Sequence, residues 1–355
     1  MNGKEPNKGS LSKKVLSWHK LNGRHNLPWQ KNINPYKVWI SEIMLQQTQV
    51  STVLPYFKLF IKKYPNIKSL ANAKLEDILE LWTGLGYYRR AENIYKTAQI
   101  LKENYQFKFP KNYEDIINLP GIGKSTAGAI LSIAYKKKYP ILDGNVKRVI
   151  KRLFAIQGSA NNDSNLWTLS ESILPNKNND IFSQAIMDVG SLVCTINNPS
   201  CSMCPLIKDC KSYKLKLTKI IPEKKKNNLI KKKKIYLLLI QDYKKDNFIL
   251  MKKNNKEGLW ANLWNLPSFS LKKELNNFVL KNKIKGKIKI FKNFSHNLTH
   301  YKLDILVFHI KLSNKLIIKN YNWKNIYDKI AISKPVLITF ESLIKEIENA
   351  NGNVR

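Results

Sequence analysis

The sequence predicts a multidomain α plus α+β protein, an all-helical part followed by an α+β part, and three observations carry that expectation. Within residues 11–155, apolar side chains recur at three- and four-residue spacing in Val38–Val53, Leu70–Trp82, Ala91–Leu101 and Ser125–Ala134, with Pro or Gly in the breaks. Residues 164–193 continue helical. After Lys234 the spacing changes: Ile235–Gln241, Phe248–Lys252, Lys287–Phe291 and Tyr301–Ile310 read as strands, and Pro335–Asn349 as a closing helix. Between the two patterns, Lys211–Lys234 holds eleven lysines and one glutamate with little apolar periodicity, the mark of a linker.

A chain of 355 residues with 43% hydrophobic content can build two or three cores, which excludes a wholly disordered protein. The longest apolar runs, such as Ile235–Ile240 and Ile305–Ile310, fall well short of the roughly 18 to 20 residues a membrane span needs. Met1–Lys14 has no apolar stretch of the kind a secretory signal carries, so the cytoplasm is the expected location. Sixty-two Lys and Arg against 25 Asp and Glu leave a formal charge of +37, which attracts a polyanion, nucleic acid first. A compositional bias toward Lys and Asn is the competing explanation. The basic linker is then either a solvated tether or a strip lying along the polyanion. Five of the six arginines, Arg24, Arg89, Arg90, Arg148 and Arg152, fall in the first 152 positions, where phosphate-binding forks are expected.

All four cysteines lie within seventeen residues as Cys194, Cys201, Cys204 and Cys210, spaced C-x6-C-x2-C-x5-C. Without a secretion signal, such a cluster points to metal and not to disulfides. Zinc sites usually join two short cysteine pairs across a longer span. Here one short pair is flanked by single cysteines, which favours a 4Fe-4S cluster.

Residues 119–129 read LPGIGKSTAGA between a short helix, Tyr113–Asn118, and a longer one: a helix-hairpin-helix. Gly121 and Gly123 permit the tight reversal and expose N–H groups that, with the start of the next helix, form a nest for a DNA phosphate, with Lys124 adding charge beside it. Downstream, PILDGNVKRV places Asp143 before a basic helix, where its spacing suits an ordinary N-cap. Upstream, Glu42 lies in VWISEIMLQQTQV with Gln46 one turn along on the same face. It is either solvated or desolvated by Trp39, Ile43 and Met44, and desolvation would raise its pKa and keep a proton available. One acid that stays protonated beside one carboxylate that stays ionised is a pair suited to breaking a glycosidic bond.

Taken together, LPGIGKSTAGAI, ILDGNV, VWISEIMLQQTQV, GLGYYRRA and the cysteine array resemble the adenine DNA glycosylase family of the endonuclease III-like helix-hairpin-helix superfamily. The resemblance extends over nearly the whole chain, with a Nudix-like α+β domain after the helical core. It implies a helical glycosylase domain over residues 1–213, comprising a six-helix hairpin module (30–137) and an iron-sulfur module (10–29 and 138–213) with its cluster loop at 194–210. A basic linker (214–234) and a Nudix-like 8-oxoguanine recognition domain (235–350) follow.

By the same resemblance the enzyme acts as a monomer on double-stranded DNA, associated with the nucleoid when bound, and removes adenine mispaired with 8-oxoguanine or guanine after flipping it from the stack. Glu42 becomes the acid that protonates adenine, Asp143 the anion that stabilises the positive sugar, and Asn145 a support for Asp143 and the water. Gln46, Gln47 and Thr48 fall where side chains approach the opposing base, and Tyr87 where a ring wedges beside 8-oxoguanine. Superfamily members with lyase activity carry a nucleophilic Lys where this chain has Ser125, so a monofunctional enzyme is expected; a bifunctional lyase and a silent iron-sulfur binder are the alternatives. In SHNLTHYKLDI, Leu298, Thr299 and His300 occupy the place where the family reads 8-oxoguanine, and Leu and Thr depart from its usual Phe-Ser-His.

Overall fold

The computed structural model describes residues 8–158, 163–223, 231–298 and 301–352. The chain divides into two compact units, one formed by residues 1–72 and 92–226, the other by 73–91 and 227–355.

The first unit is helical. Helix α1 (Lys8–Asn22) leads through a 3-10 turn (Pro28–Gln30) to α2 (Pro35–Leu45), which starts at a Pro and is capped by Asn34, whose side chain accepts Lys37 N–H at 2.9 Å. The Val38–Val53 stretch, expected as one helix, is two. The chain turns after α2 at Gln46 and Gln47, the latter at φ 55°, and resumes as α3 (Val50–Lys63). The apolar period survives the break because Val38, Trp39 and Ile43 before it and Val53, Phe57 and Phe60 after it are all buried. Helix α4 (Ile67–Ala71) is capped by Asn66. Helix α5 (Leu75–Leu81) belongs to the second unit, and α6 (Arg89–Tyr105) returns the chain to the first.

Helix α7 (Tyr113–Ile117), the Leu119–Gly123 reversal and α8 (Lys124–Ala129) make the expected hairpin, and α8 runs on through a π turn (Ile130–Ala134). Then come α9 (Gly144–Phe154), α10 (Asp163–Ser172), α11 (Asn179–Asp188) with a π turn at Val189–Val193, and α12 (Lys211–Lys214). One core joins Leu11 and Val15 of α1, Val149, Ile150 and Leu153 of α9, and Phe182 and Ile186 of α11, with Cys194 and Cys204 at its edge. Burying each large apolar side chain there stabilises by about 1.5–3 kcal/mol. The connection from α1 is pinned to α11 by charge: Asp188 accepts Arg24 N at 2.7 Å and Arg24 Nε at 2.8 Å. Part of the basic stretch after α12 is packed as well, since Ile221 is buried and its carbonyl accepts Arg152 Nε at 2.6 Å.

The second unit is built on a seven-stranded sheet of order β3-β2-β1-β6-β5, with β4 paired to β1 and β7 to β2. Its strands are β1 (Lys231–Gln241), β2 (Phe248–Lys253), β3 (Trp264–Asn265), β4 (Ser268–Phe269), β5 (Ile288–Asn297), β6 (Tyr301–Lys311) and β7 (Asn322–Asn325). Strand β1 starts four residues before the expected Ile235, because a parallel ladder with β6 from Lys231↔Tyr301 to Gln241↔Lys311 pairs main chains whatever the side chains are. Alternation along β1 sends Leu237 and Leu239 to one face and Leu238 and Ile240 to the other. Helix α14 (Lys334–Gly352) covers the first with Val336, Phe340 and Leu343, and α13 (Lys272–Lys281) the second with Leu275. Cover on both faces makes β1 read as a continuous apolar run and not as an alternating one.

Asp188→Asn should cost about 3 kcal/mol at neutral pH by leaving Arg24 without its buried counter-charge. Burial pushes the Asp188 carboxyl up, but the His19 imidazole 3.5 Å away and the hydrogen bonds and charge of Arg24 outweigh it and hold the carboxyl below its usual range. The stabilisation is therefore present above the unfolded-state pKa and lost as pH falls through the folded one. Urea midpoints of the two proteins should converge on acidification; a constant gap would contradict the assignment.

Candidate functional site

Glu42 lies on the inner side of α2 between the buried Ser41 and Ile43. Desolvation, and after it the charge of Asp143, raises its pKa to about 8, so the two carboxyls lie within electrostatic reach of each other. Asp143 caps α9: Oδ1 accepts Val146 N–H at 2.7 Å and Oδ2 accepts the Asn145 amide at 3.0 Å. Burial raises the Asp143 carboxyl, while the bonds from Val146 and Asn145 and the charge of Arg148 pull the other way. The N-cap role expected from spacing and the pairing with Glu42 thus coexist in one side chain.

The loop carrying Asp143 is clasped between two glycines. A Cβ on Gly128 would lie 2.2 Å from the Pro140 carbonyl oxygen, and one on Gly190 would lie 2.6 Å from Asn145 Cβ. Both glycines belong to helices that relax into π turns, a departure from α geometry that recurs at functional sites. Ser125, on the first turn of α8, has a buried Oγ with no hydrogen-bond partner among the described residues.

Arg148 and Arg152, one turn apart on α9, reach the cysteine loop. Arg148 Nη2 donates to Asn145 Oδ1 at 3.0 Å and to the Gly190 carbonyl at 2.7 Å, while its Nε donates to the Cys194 carbonyl at 2.6 Å. Arg152 donates to the carbonyls of Thr195 and Ile196 at 2.6 and 2.9 Å. Arginines that composition suggested as phosphate forks are therefore spent on internal acceptors: Arg24 on Asp188, and Arg148 and Arg152 on loop carbonyls. Sequence reasoning missed this role, because arginines more than forty residues before the first cysteine carry no mark of the loop carbonyls they bond.

Cys194, Cys201, Cys204 and Cys210 line one small cavity together with Arg152 and Tyr213. Among the described residues no three His, Cys, Asp or Glu side chains converge closely enough to hold a single ion. The thiols ring a space instead. Burial pushes Cys204 up to about 12 and raises Cys201 and Cys210 too, so the thiolates of this set need a cationic group at their centre. The donor set fits a multinuclear iron-sulfur group better than one zinc ion.

In the hairpin, Gly121 adopts φ 78° and Gly123 is the extended N-cap of α8, both exposed beside the exposed Lys124. Gln46, Gln47 and Thr48 form the turn that ends α2, with Thr48 N–H on the Leu45 carbonyl at 3.2 Å. Tyr87 lies in the second unit, and so does Leu298, whose N–H donates to the Tyr301 carbonyl at 2.8 Å. Thr299 and His300 lie outside the described residues. No helix of the described residues is long and apolar enough to cross a membrane.

This combination of hairpin, clasped carboxylate loop and cysteine cavity defines a base excision DNA repair protein of the helix-hairpin-helix class: residues 40–174 match the profile of HhH-GPD superfamily base excision DNA repair proteins, and 236–339 match the NUDIX domain. A thermostable thymine-DNA glycosylase of known structure superposes with a TM-score of 0.54 at 28% identity, over 59% of this chain and 97% of that one. Adenine DNA glycosylase of Buchnera aphidicola subsp. Schizaphis graminum is 47% identical over 347 residues, 92% of this chain and 96% of the relative. That of Buchnera aphidicola subsp. Baizongia pistaciae is 45% identical over 345 residues, 95% and 96% of the two chains. The chain belongs to the adenine DNA glycosylases.

Gly190→Ala should push Asn145 off Asp143. Base release is expected to fall by about tenfold or more, with a loss of roughly 1–3 kcal/mol in stability; an unchanged single-turnover rate would show that the clasp does not govern the loop.

Proposed function

We propose that this chain is a monofunctional, monomeric glycosylase that excises adenine mispaired with 8-oxoguanine or guanine from duplex DNA. The carrying observation is the coupled carboxyl pair, in which Glu42 is held protonated up to a pH of about 8 while the hydrogen bonds around Asp143 favour its anion. Burial raises both carboxyls, but only Asp143 has hydrogen bonds that favour its anion, and that difference divides the work of proton donor and electrostatic partner.

Glu42 gives its proton to the flipped adenine, so that the C–N bond breaks with its electron pair leaving on the base. Asp143 stabilises the oxocarbenium-like sugar, and water adds at the sugar carbon and loses a proton. Asn145 orients Asp143. Ser125, in place of an amine nucleophile, leaves water as the attacking group. Base flipping costs a few kcal/mol, which backbone contacts at Gly121, Gly123 and Lys124 and side chains at Gln46, Gln47, Thr48 and Tyr87 offset. Leu298, with Thr299 and His300, reads the opposing base. Cys194, Cys201, Cys204 and Cys210 hold a 4Fe-4S cluster, which supplies structural metal–thiolate bonds and positive charge when bound.

A single-turnover assay on an A:8-oxoguanine duplex tests this reading. Free adenine with an intact abasic strand is expected. Nicking without alkali would point to a lyase, and no released base to a silent binder. Glu42→Gln should lower the rate by about a thousandfold with duplex affinity nearly unchanged; retained turnover would remove the acid role. The wild-type rate should decline as pH rises through about 8, because only protonated Glu42 can donate. In folding, that raised pKa favours the neutral acid, so Glu42→Gln should gain thermal stability over wild type as pH rises from 4.5 to about 8.

A further inference from the structure

Residues 73–91 stand in the sequence among the helices of the first unit, yet they fold with the sheet. Glu76 of α5 accepts Trp264 Nε1 through one carboxylate oxygen at 2.9 Å and Lys253 Nζ through the other at 2.9 Å. Lys253 and Trp264 face each other across the β2–β3 ladder, so both donors come from one rung of the sheet. These bonds, Lys253 first, hold the Glu76 carboxyl below its usual range. The Tyr88 hydroxyl donates to the Ile332 carbonyl at 2.6 Å, and Ile332 is bridged to Trp264, so the second tether ends beside the first.

The turn between the tethers is braced. Trp82 Nε1 and Arg90 Nη2 donate to the Gly86 carbonyl at 3.0 and 3.1 Å, and the Arg90 guanidinium lies 5.5 and 5.4 Å from the Trp82 and Tyr87 ring centroids. Tyr87, at φ 51° and 47% exposed, is an aromatic ring held out from a clamped turn. As an ion pair, Glu76–Lys253 is exposed enough to add little. The indole and Tyr88 bonds carry the attachment.

We propose that Glu76 and Tyr88 are positioning residues that make Tyr87 a probe carried by the sheet unit, so that insertion of its ring beside the base opposite adenine is set by the sheet and not by the helices bearing Glu42 and Asp143. This rests on the reading of Tyr87 as the wedge. Loosening either tether then weakens engagement of the opposing base while sparing the chemistry of a flipped adenine.

The test uses the full-length protein and an A:8-oxoguanine duplex with 2-aminopurine next to the lesion. Glu76→Ala, Tyr88→Phe and Trp264→Phe should each weaken duplex binding by about tenfold and reduce the 2-aminopurine unstacking signal. The single-turnover rate at saturating enzyme should stay within about twofold of wild type. The double variant Glu76→Ala/Trp264→Phe should be no worse than its weaker parent, since both remove the indole–carboxylate bond. Tyr87→Ala is the control for the wedge itself. If it loses binding and signal while the tether variants keep both, the positioning proposal is wrong and the wedge stands. If Tyr87→Ala changes neither, the wedge reading fails and takes the proposal with it. Tether variants that lower the saturating rate together with the thermal midpoint would show a merely structural role and overturn the proposal.

Discussion

Two carboxyl groups buried close enough to repel each other constrain everything packed around them. In water Glu42 and Asp143 would ionise alike; here desolvation of Glu42, and after it the charge of Asp143, keeps that acid neutral up to a pH of about 8. The assignment follows from local structure. Asp143 has a helix N-terminus and two specific donors that favour its anion, while Glu42 sits mid-helix among apolar neighbours. Had the cap been on the other acid, the roles would reverse.

Helix α9 makes this division mechanically stable. Its first turn holds Asp143 and Asn145, and Arg148 and Arg152 on the turns that follow fasten the loop around the cysteine cavity. Arg148 touches both ends, with Asn145 on one side and the Cys194 carbonyl on the other. A change in the cysteine loop therefore reaches the carboxylate through three hydrogen bonds, Cys194 to Arg148, Arg148 to Asn145 and Asn145 to Asp143. The same packing explains why Gly190 has no room for a side chain.

Most of the architecture was legible because it follows from apolar periodicity and from the Asp143 cap, which stands one residue before α9; the caps Asn34, Asn66 and Asn112, which do the same for α2, α4 and α7, were not picked out from the sequence. The α2–α3 break was not legible from apolar spacing, since both helices bury residues that keep one period across it. Strands β3, β4 and β7, of two to four residues, are too short to show any period. Within the site, the cysteines, Glu42 and Asp143 could be picked out one by one from their types and spacing. What escaped was how they are joined, because a guanidinium bonded to carbonyls leaves no pattern beyond the presence of an arginine. The fold membership of residues 73–91 was hidden for a related reason: their partners Lys253, Trp264 and Ile332 are far away along the chain.

That separation bears on how the polypeptide matures during synthesis. A ribosome makes residues 73–91 long before Ile332 emerges, so the Tyr88 hydroxyl and the Glu76 carboxylate must wait for an acceptor and an indole donor translated more than half a chain later. The helices on either side can close in the meantime around contacts of their own. The aromatic turn is thus among the last parts of the nascent enzyme to find its seat, and a message truncated before the final strands would yield a helical body whose Tyr87 turn keeps its local brace from Trp82 and Arg90 but has no sheet to anchor it.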